Sequence, residues 1–297
     1  RRPLRGIGID FGTTNSVIAV ADESGAVRAM RWPSAGGPQD IFRTALAFRS
    51  FAIEGTRRTV TAAGPEAIAW ALDPAPHQRF VQSIKTHLGS AAFGEMRVFG
   101  ERLTLDGLIA RFLGHLTGEG APEEGGRPDW NAPLAAGRPV VFAGERPDEE
   151  LAITRLRAAY AAAGFPDPDL VYEPLGAAYW YARDLTRPQT VLVADFGGGT
   201  SDFSVMRFDR RGGRLIAEAL AHDGVGVAGD TFDYRLIDHV VSPRLGKNAR
   251  YRSFEKWLPV PQRFFSAFAR WHQLSWLKDP KVLADLDAIA ETADDPE

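Results

Sequence analysis

The stretch of sequence that decides the fold is DFGGGTSD at residues 195–202, because a closely similar stretch, DFGTTNS, stands at residues 10–16. Each stretch lies between two apolar runs, which predicts a strand, a tight glycine turn and a second strand. A single glycine-rich turn is usually only a turn. Recurrence of the same aspartate, glycine and threonine pattern in an otherwise unrelated second half favours a pseudo-symmetric site with two lobes.

The residue types in both stretches suit a polyphosphate bound together with a metal ion. Backbone N–H groups exposed at a glycine turn can hold phosphate oxygens, and a carboxylate at a strand end can hold Mg²⁺ or its waters. Two such hairpins facing each other would form a phosphate clamp.

With these motifs the chain resembles the actin-fold ATPases and, within them, the seventy-kilodalton heat-shock chaperones. GIDFGTTNS at 8–16 resembles their first phosphate loop, and DFGGGTSD at 195–202 their second. Three further segments stand in the family's order: SIKTHLG at 83–89, YEPLGAA at 172–178 and GDTFD at 229–233. The similarity runs from residue 6 to about residue 240. It implies a divergent, short bacterial heat-shock-70-like protein that lacks the peptide-binding domain.

The resemblance implies a role for each charged residue in these motifs. Asp10 and Asp195 would hold Mg²⁺ through its waters. Lys85 would point at the γ-phosphate and the attacking water, since a compact ammonium suits such a point contact better than a guanidinium. Glu173 and Asp202 would orient the water as carboxylates.

The expected ligands are therefore ATP or ADP with Mg²⁺, and the expected activity is slow ATP hydrolysis. Gly229 and Asp230 would bring a helix N-terminus toward the phosphates. The other phosphate contacts are expected in the two turns, at Gly12, Thr13, Thr14, Asn15, Gly197, Gly198, Gly199 and Thr200.

The order of apolar patterns predicts an α/β fold, and the resemblance makes it the actin-like (ribonuclease H-like) ATPase fold, with a mixed sheet flanked by helices in each of two lobes. The first lobe is expected at 1–186, with an inserted subdomain at about 25–100, and the second, incomplete lobe at 187–297. Helices are predicted to begin near Gly64, Thr104, Asp148 and Glu173, the last one reaching Leu185. The helix after Thr104 is predicted to carry an apolar stripe with a period of 3.6 residues, formed by Leu105, Leu108, Ile109, Phe112, Leu113 and Leu116.

The composition of three further segments predicts their structure. Residues 118–137 are rich in glycine, proline and acidic residues and are predicted to be a surface loop or a partly disordered insertion. PVVF at 139–142 is predicted to be a buried strand. The last fifty residues are rich in aromatic side chains, which are predicted to lie on buried helix faces, with an exposed partner-binding patch as the alternative. These side chains are Trp257, Phe264, Phe265, Phe268, Trp271 and Trp276.

Composition narrows the function without deciding it. A chain of 297 residues suits two domains, and its net charge of −3, with scattered basic residues, gives no general attraction to nucleic acid or anionic membranes. Because there is no cysteine, disulfides and thiolate metal sites are excluded. No apolar run approaches the roughly 20 residues that span a bilayer, and no signal peptide is recognisable. We therefore expect a cytoplasmic protein, with nucleotide and, by resemblance, unfolded polypeptide or a co-chaperone as partners.

Two other classes of function stay open at this point. A sugar kinase-like phosphotransferase of the same fold would need an acceptor pocket, and a nucleotide-switched scaffold or filament protein would assemble in response to ATP. The sequence also departs from the family, with Leu175-Gly176 in place of threonine and alanine and an end at Glu297 before the family's later adenosine loop. From that end we expect weak binding of ATP, poor discrimination between ATP and GTP, and slow hydrolysis.

Overall fold

The computed structural model describes residues 4–34, 36–53, 56–73, 75–118, 129–269, 274 and 276–294. Its contacts divide the chain into two compact units, with the boundary between Ala228 and Gly229. Each unit is described by itself below. The lobe boundary near residues 186 and 187 stays a prediction.

The first unit contains fourteen described strands and four α-helices. The strands are β1 (Leu4–Phe11), β2 (Asn15–Asp22), β3 (Val27–Ala29), β4 (Phe42–Arg43), β5 (Ala45–Ile53), β6 (Thr56–Ala63), β7 (Gln78–Gln82), β8 (Glu95–Val98), β9 (Glu101–Thr104), β10 (Leu134–Arg138), β11 (Asp169–Tyr172), β12 (Gln189–Phe196), β13 (Ser201–Arg211) and β14 (Arg214–Val225). The helices are α1 (Gly64–Leu72), α2 (Leu105–Gly118), α3 (Glu149–Ala162) and α4 (Glu173–Ala182), and a short 3₁₀ helix spans Ile84–His87.

A six-stranded mixed sheet carries the first hairpin. Its order is β11-β10-β1-β2-β3, with β4 also paired to β2. Strand β1 runs parallel to β10 and antiparallel to β2. The alternation of β1 buries Ile7, Ile9 and Phe11 on one face and leaves Asp10 exposed at the end of the strand.

Helix α2 supplies the other side of this core. Thr104 caps its N-terminus by accepting the N–H of Gly107 at 3.2 Å. The predicted apolar stripe is confirmed, because all of its members are fully buried: Leu105, Leu108, Ile109, Phe112, Leu113 and Leu116. The ring of Phe112 lies 5.6 Å from that of Phe11, between centroids, so the helix packs directly behind the first hairpin.

The second hairpin belongs to a separate three-stranded sheet, β12-β13-β14, whose strands are antiparallel throughout. The predicted mixed character is therefore seen in the first sheet only. Helix α4 packs on the second sheet, with Ala178 and Ala182 against Met206 and Phe208. It ends at Ala182, three residues earlier than predicted. The fold is mixed α/β and compatible with the actin-like ATPase fold.

One strand was placed wrongly from the sequence. The buried strand is Leu134–Arg138, and residues 139–142 follow it without joining the sheet. Pro139 has no N–H with which to continue the ladder, and the N–H groups of Val140 and Val141 bond to a side chain instead. The predicted surface loop is thus wrong for 134–137, while its residues 119–128 lie outside the described part of the chain.

The second unit consists of short elements. They are α5 (Gly229–Leu236), a π-helical turn at Ile237–Val241, a 3₁₀ turn at Ser242–Leu245, β15 (Arg250–Ser253), β16 (Lys256–Pro259), α6 (Arg263–Ser266), 3₁₀ turns at Ala267–Ala269 and Trp276–Lys278, and α7 (Pro280–Ala290). Within the described ranges of both units, no helix has the length and apolar character needed to cross a bilayer.

The predicted burial of the late aromatic residues holds only in part. Phe264 and Phe265 are buried in α6, and Phe268 is half-buried. For Trp257 the prediction of a buried helix face is wrong, because this residue lies on the strand β16 and is 45% exposed. Trp276 is 36% exposed and stacks on Phe264, while Trp271 lies outside the described residues.

Candidate functional site

The two similar motifs form hairpins of the same register. Phe11 pairs with Ser16 in the first, and Phe196 pairs with Ser201 in the second. Both pairs are five residues apart, so each turn has four residues between its last paired positions. The predicted strand, turn and strand are confirmed in both copies, and Asp10 and Asp195 each stand one residue before the closing pair.

The two turns lie against each other within the first unit. A Cβ atom on Gly198 would collide with Oγ1 of Thr14 and lie 3.1 Å from Cβ of Thr13. A Cβ on Gly199 would lie 3.0 Å from Oγ1 of Thr13 and 2.8 Å from Cγ2 of Thr86. Glycine is required at 198 and 199 because threonine side chains of the other segments occupy the space that a side chain would need.

Lys85 lies beside the two turns on the 3₁₀ helix Ile84–His87. Its side chain is buried, with the residue only 6% exposed, and Nζ forms an ion pair with Oε1 of Glu173. The same Nζ lies 5.7 Å from the centroid of the Phe11 ring. A fully buried lysine needs a partner charge, and Glu173 supplies it.

Arg155 of α3 holds the turn that carries Lys85. Its Nη1 donates to the backbone oxygens of His87, Leu88 and Ser90 at 3.3, 3.0 and 2.9 Å. These carbonyls lie at the C-terminal end of the 3₁₀ helix, where such groups lack helical partners and attract a cation. The arginine therefore fixes the main chain on which Lys85 stands.

Glu173 is the first residue of α4 and lies close to the first hairpin. A Cβ on Gly137 would lie 3.1 Å from Cγ of Glu173 and 3.5 Å from Oδ1 of Asp10, so the strand β10 passes between the two carboxylates with no side chain. Burial raises the pKa of Glu173, and the charges of Asp10 and Asp202 add to this, while Lys85 opposes it.

Asp202 connects the second hairpin to the end of β10. Its Oδ1 accepts the N–H groups of Val140 at 2.7 Å and Val141 at 3.3 Å, and its Oδ2 accepts the hydroxyl of Thr200 at 2.7 Å. A Cβ on Gly224 would lie 2.7 Å from the same Oδ1. This carboxylate is therefore fully engaged in positioning, and its predicted role in orienting water stays a prediction.

Arg138 is a neighbour of the site that sequence reasoning missed. Its guanidinium lies between the rings of Phe142 and Tyr172, 5.0 and 5.1 Å from their centroids, and donates to Glu149 at 2.8 Å. It also donates to the carbonyl of Pro139 at 3.0 Å. The signal in the sequence is an arginine at the end of a run of small residues, where a strand end meets a proline.

The candidate metal ligands are near enough to interact. The pKa of Asp195 is raised by burial and then by the charges of Asp10 and Asp202, with Lys85 opposing. Among the described residues, no three His, Asp or Glu side chains are grouped so as to hold a bare metal ion. Two carboxylates that act through metal-bound waters, as expected for Asp10 and Asp195, do not require such a group.

The remaining predicted residues lie either in the two turns or at the start of α5. Gly12 is required for its turn, since a Cβ there would collide with the carbonyl of Asn15, and Asn15 itself accepts from Arg43 at 3.1 Å. Gly197 closes the second turn by donating to the carbonyl of Thr200 at 2.9 Å. Gly229 and Asp230 do begin a helix, α5, but it belongs to the second unit. Their contact with phosphate stays a prediction.

The raised pKa of Asp195 predicts a pH-dependent gain in stability for Asp195→Asn. An acid whose pKa is higher in the folded state binds more protons when folded, so its contribution to stability is lost as the pH rises through that pKa. Without ligand, Asp195→Asn should resist urea better than the wild type at about pH 7, and the gain should fade below about pH 4.

Asp209→Asn is the control, and its expected effect on stability has the opposite sign. The hydrogen bond from Arg211 lowers the pKa of Asp209, so its loss should destabilise the protein at neutral pH and matter less in acid. An Asp195→Asn variant less stable than the wild type at neutral pH would contradict the electrostatic picture.

Comparison with known families adds one finding. The family model described as Hsp70 protein matches residues 154–250, about a third of the chain. The matched range includes Glu173, the second hairpin and the whole of α5, and it begins after the first hairpin and Lys85. This match indicates a nucleotide-binding, chaperone-type protein. Over residues 154–250, the chain is similar to the Hsp70 family.

Proposed function

We propose that this chain binds ATP or ADP with Mg²⁺ at its two hairpins and hydrolyses ATP, as a chaperone-type protein of the Hsp70 family. The observation that carries the proposal is the meeting of the Thr13-Thr14 and Gly198-Gly199 turns beside the buried Lys85. Turns of this composition present backbone N–H groups and hydroxyls to an anion from two directions. Unfolded polypeptide and a co-chaperone are the partners that the family suggests, and a cytoplasmic location stays a prediction.

The distribution of charge supports a divalent cation at Asp10 and Asp195. Burial raises the pKa of Asp195, and the negative charge of Asp10 raises it further by repulsion. Bound Mg²⁺ would supply the positive charge that stabilises phosphoryl transfer and relieves this repulsion. The two aspartates would then orient the nucleotide through the metal-bound waters.

Lys85 and Glu173 are suited to act as a pair. The ammonium group has three donors, of which the carboxylate of Glu173 engages one, so the others can reach a phosphate oxygen or the attacking water. The pKa of Glu173 is raised toward neutral pH, and a general base is most effective when its pKa lies near the working pH. Glu173 would take a proton from the water while Lys85 stabilises the negative charge that develops.

Asp202 and Arg138 would hold these groups in place. Asp202 fixes the hydroxyl of Thr200 and, through Val140 and Val141, the position of the second hairpin relative to β10. Arg138 donates a hydrogen bond to the carbonyl of Pro139 and so helps to hold the same segment. Positioning of this kind is the main requirement of phosphoryl transfer, in which the protein performs little covalent chemistry.

Substitution of either metal-site aspartate should weaken nucleotide binding in the presence of Mg²⁺. We expect Asp10→Asn and Asp195→Asn each to raise the Kd for Mg²⁺-ATP about tenfold or more, a loss of about 1.4 kcal/mol, because an amide attracts metal-bound water less than a carboxylate does. Isothermal titration at fixed salt, with and without Mg²⁺, measures the effect.

The matched control is Asp167→Asn, which removes an exposed carboxylate paired with Arg157. It should leave the Kd unchanged. Unchanged affinity in both metal-site variants would exclude the clamp.

Lys85 should affect hydrolysis more than binding. We expect Lys85→Ala to lower kcat about 100-fold while the Kd for Mg²⁺-ATP changes less than about threefold, because its charge is needed most where negative charge develops. Single-turnover hydrolysis and titration on the same preparation separate the two.

Because Lys85→Ala leaves Glu173 buried without its partner, folding needs its own control. The double variant Lys85→Met/Glu173→Gln removes both charges at similar volume and should fold and remain inactive. Equal losses of binding and hydrolysis in Lys85→Ala would make Lys85 a binding residue.

A further inference from the structure

Tyr172 is a residue through which the two sheets of the first unit contact each other beside Glu173. It is the last residue of β11, and Glu173, the next residue, begins α4. The centroid of the Tyr172 ring lies 5.1 Å from Cζ of Arg138, its register partner on β10, and 4.9 Å from the centroid of the His222 ring. Because His222 lies on β14, this tyrosine ring connects two sheets that share no strand.

The imidazole that contacts Tyr172 is held by a buried hydroxyl. Oγ of Ser204 lies 2.6 Å from Nδ1 of His222, and the two residues are cross-strand partners on β13 and β14. Ser204 is only 1% exposed. A hydrogen bond at one ring nitrogen restricts the rotation of the imidazole, so His222 presents a fixed surface to the tyrosine.

The guanidinium that contacts the same ring is also held. Arg138 donates to Oε1 of Glu149 at 2.8 Å and to the carbonyl oxygen of Pro139 at 3.0 Å. A guanidinium near an aromatic ring is attracted by the negative potential of the ring face. The ring of Tyr172 is therefore contacted by two side chains, each tied by a hydrogen bond to a further element of the fold.

The junction of β11 and α4 has no conventional cap. Tyr172 is the N-cap residue of α4, and within the described part of the chain its side chain makes no capping hydrogen bond. Helix α3 differs, because its N-cap residue Asp148 accepts the N–H of Leu151 at 2.9 Å. What the side chain of Tyr172 offers to hold the first turn of α4 is the pair of ring contacts.

We propose that Tyr172 is a positioning residue for Glu173: its ring, held by Arg138 and by the Ser204-His222 pair, fixes the turn from which Glu173 reaches Lys85. Only one peptide unit separates the two residues, so a displacement of the ring moves the main chain that carries the carboxylate. A shift of about 1 Å in a catalytic group is enough to lower a rate substantially. This inference rests on the proposed role of Glu173.

The ring of Tyr172, and not its hydroxyl, should matter for hydrolysis. We expect Tyr172→Leu to lower kcat for ATP about tenfold and to leave KM within about twofold, because the ring acts on the orientation of Glu173 and not on nucleotide binding. Tyr172→Phe keeps the ring and should keep kcat within about twofold of the wild type. Steady-state hydrolysis by the three proteins measures both constants.

Tyr181→Leu is the matched control, since it makes the same substitution in the same helix at a tyrosine that is 51% exposed. It should leave kcat and KM unchanged. An unchanged kcat in Tyr172→Leu, or an equal loss of kcat in Tyr172→Phe, would overturn the positioning role.

A double-mutant cycle on the ligand-free protein tests the contact between the sheets without using activity. The variant His222→Leu/Ser204→Ala removes both partners of the buried hydrogen bond, so that neither is left unsatisfied. Its effect on the urea unfolding midpoint and that of Tyr172→Leu should be less than additive, because both changes remove the same contact. Additive effects would show that His222 does not support Tyr172.

The same variants separate this inference from the proposed function. His222→Leu/Ser204→Ala should lower kcat about threefold at unchanged KM, a smaller loss than in Tyr172→Leu because Arg138 still contacts the ring. This variant also decides the matter if Tyr172→Leu does not fold, and an unchanged kcat would then overturn the positioning role. A wild type that hydrolyses no ATP would refute the proposed function and this role together, whereas an active wild type with a normal kcat in Tyr172→Leu would refute only the role of Tyr172.

Discussion

The contact between two glycine turns is the constraint on which the rest of the first unit depends. Gly198 and Gly199 have no side chain, so Thr13, Thr14 and Thr86 can pack directly on their backbone. Two sheets that share no strand are thereby joined at the ends of β1 and β12. The same contact brings Asp10, Asp195 and Lys85 into one region, although they are widely separated in the sequence. A methyl group at either glycine would force the turns apart.

The second constraint is electrostatic. Burial and the charges of Asp10 and Asp202 raise the pKa values of Glu173 and Asp195, and the charge of Lys85 opposes this rise in both. Asp202 is stabilised by two backbone N–H groups and a hydroxyl, whereas Asp195 and Glu173 have raised pKa values. Such concentrations of like charge lower stability and are typical of sites that bind cations or transfer protons. The Hsp70-family match, which covers Glu173 and the second hairpin, is consistent with that use.

The sequence predicted those parts of the fold that depend on local pattern. Both hairpins, the buried stripe of α2 and the starts of α3 and α4 follow from spacing and capping residues. Strand β10 was missed because small residues, Leu134–Arg138, carry a weak strand signal, and the more apolar segment after it uses its N–H groups on Asp202. Arg138 and Arg155 were missed for a different reason. Their importance arises from tertiary contacts with carbonyls, rings and carboxylates that no spacing along the chain encodes.

The reactivity of a single cysteine in the first turn would test most directly whether nucleotide binds at the two turns. The chain has no cysteine, so Thr13→Cys contains one thiol, at a half-buried position next to Gly198 and Gly199. The measurement is the rate of alkylation of this thiol by iodoacetamide, with and without saturating Mg²⁺-ATP and with ATP plus a chelator. We expect alkylation without nucleotide and strong protection by Mg²⁺-ATP, lost when Mg²⁺ is removed. Alkylation at the same rate under all three conditions would contradict the account.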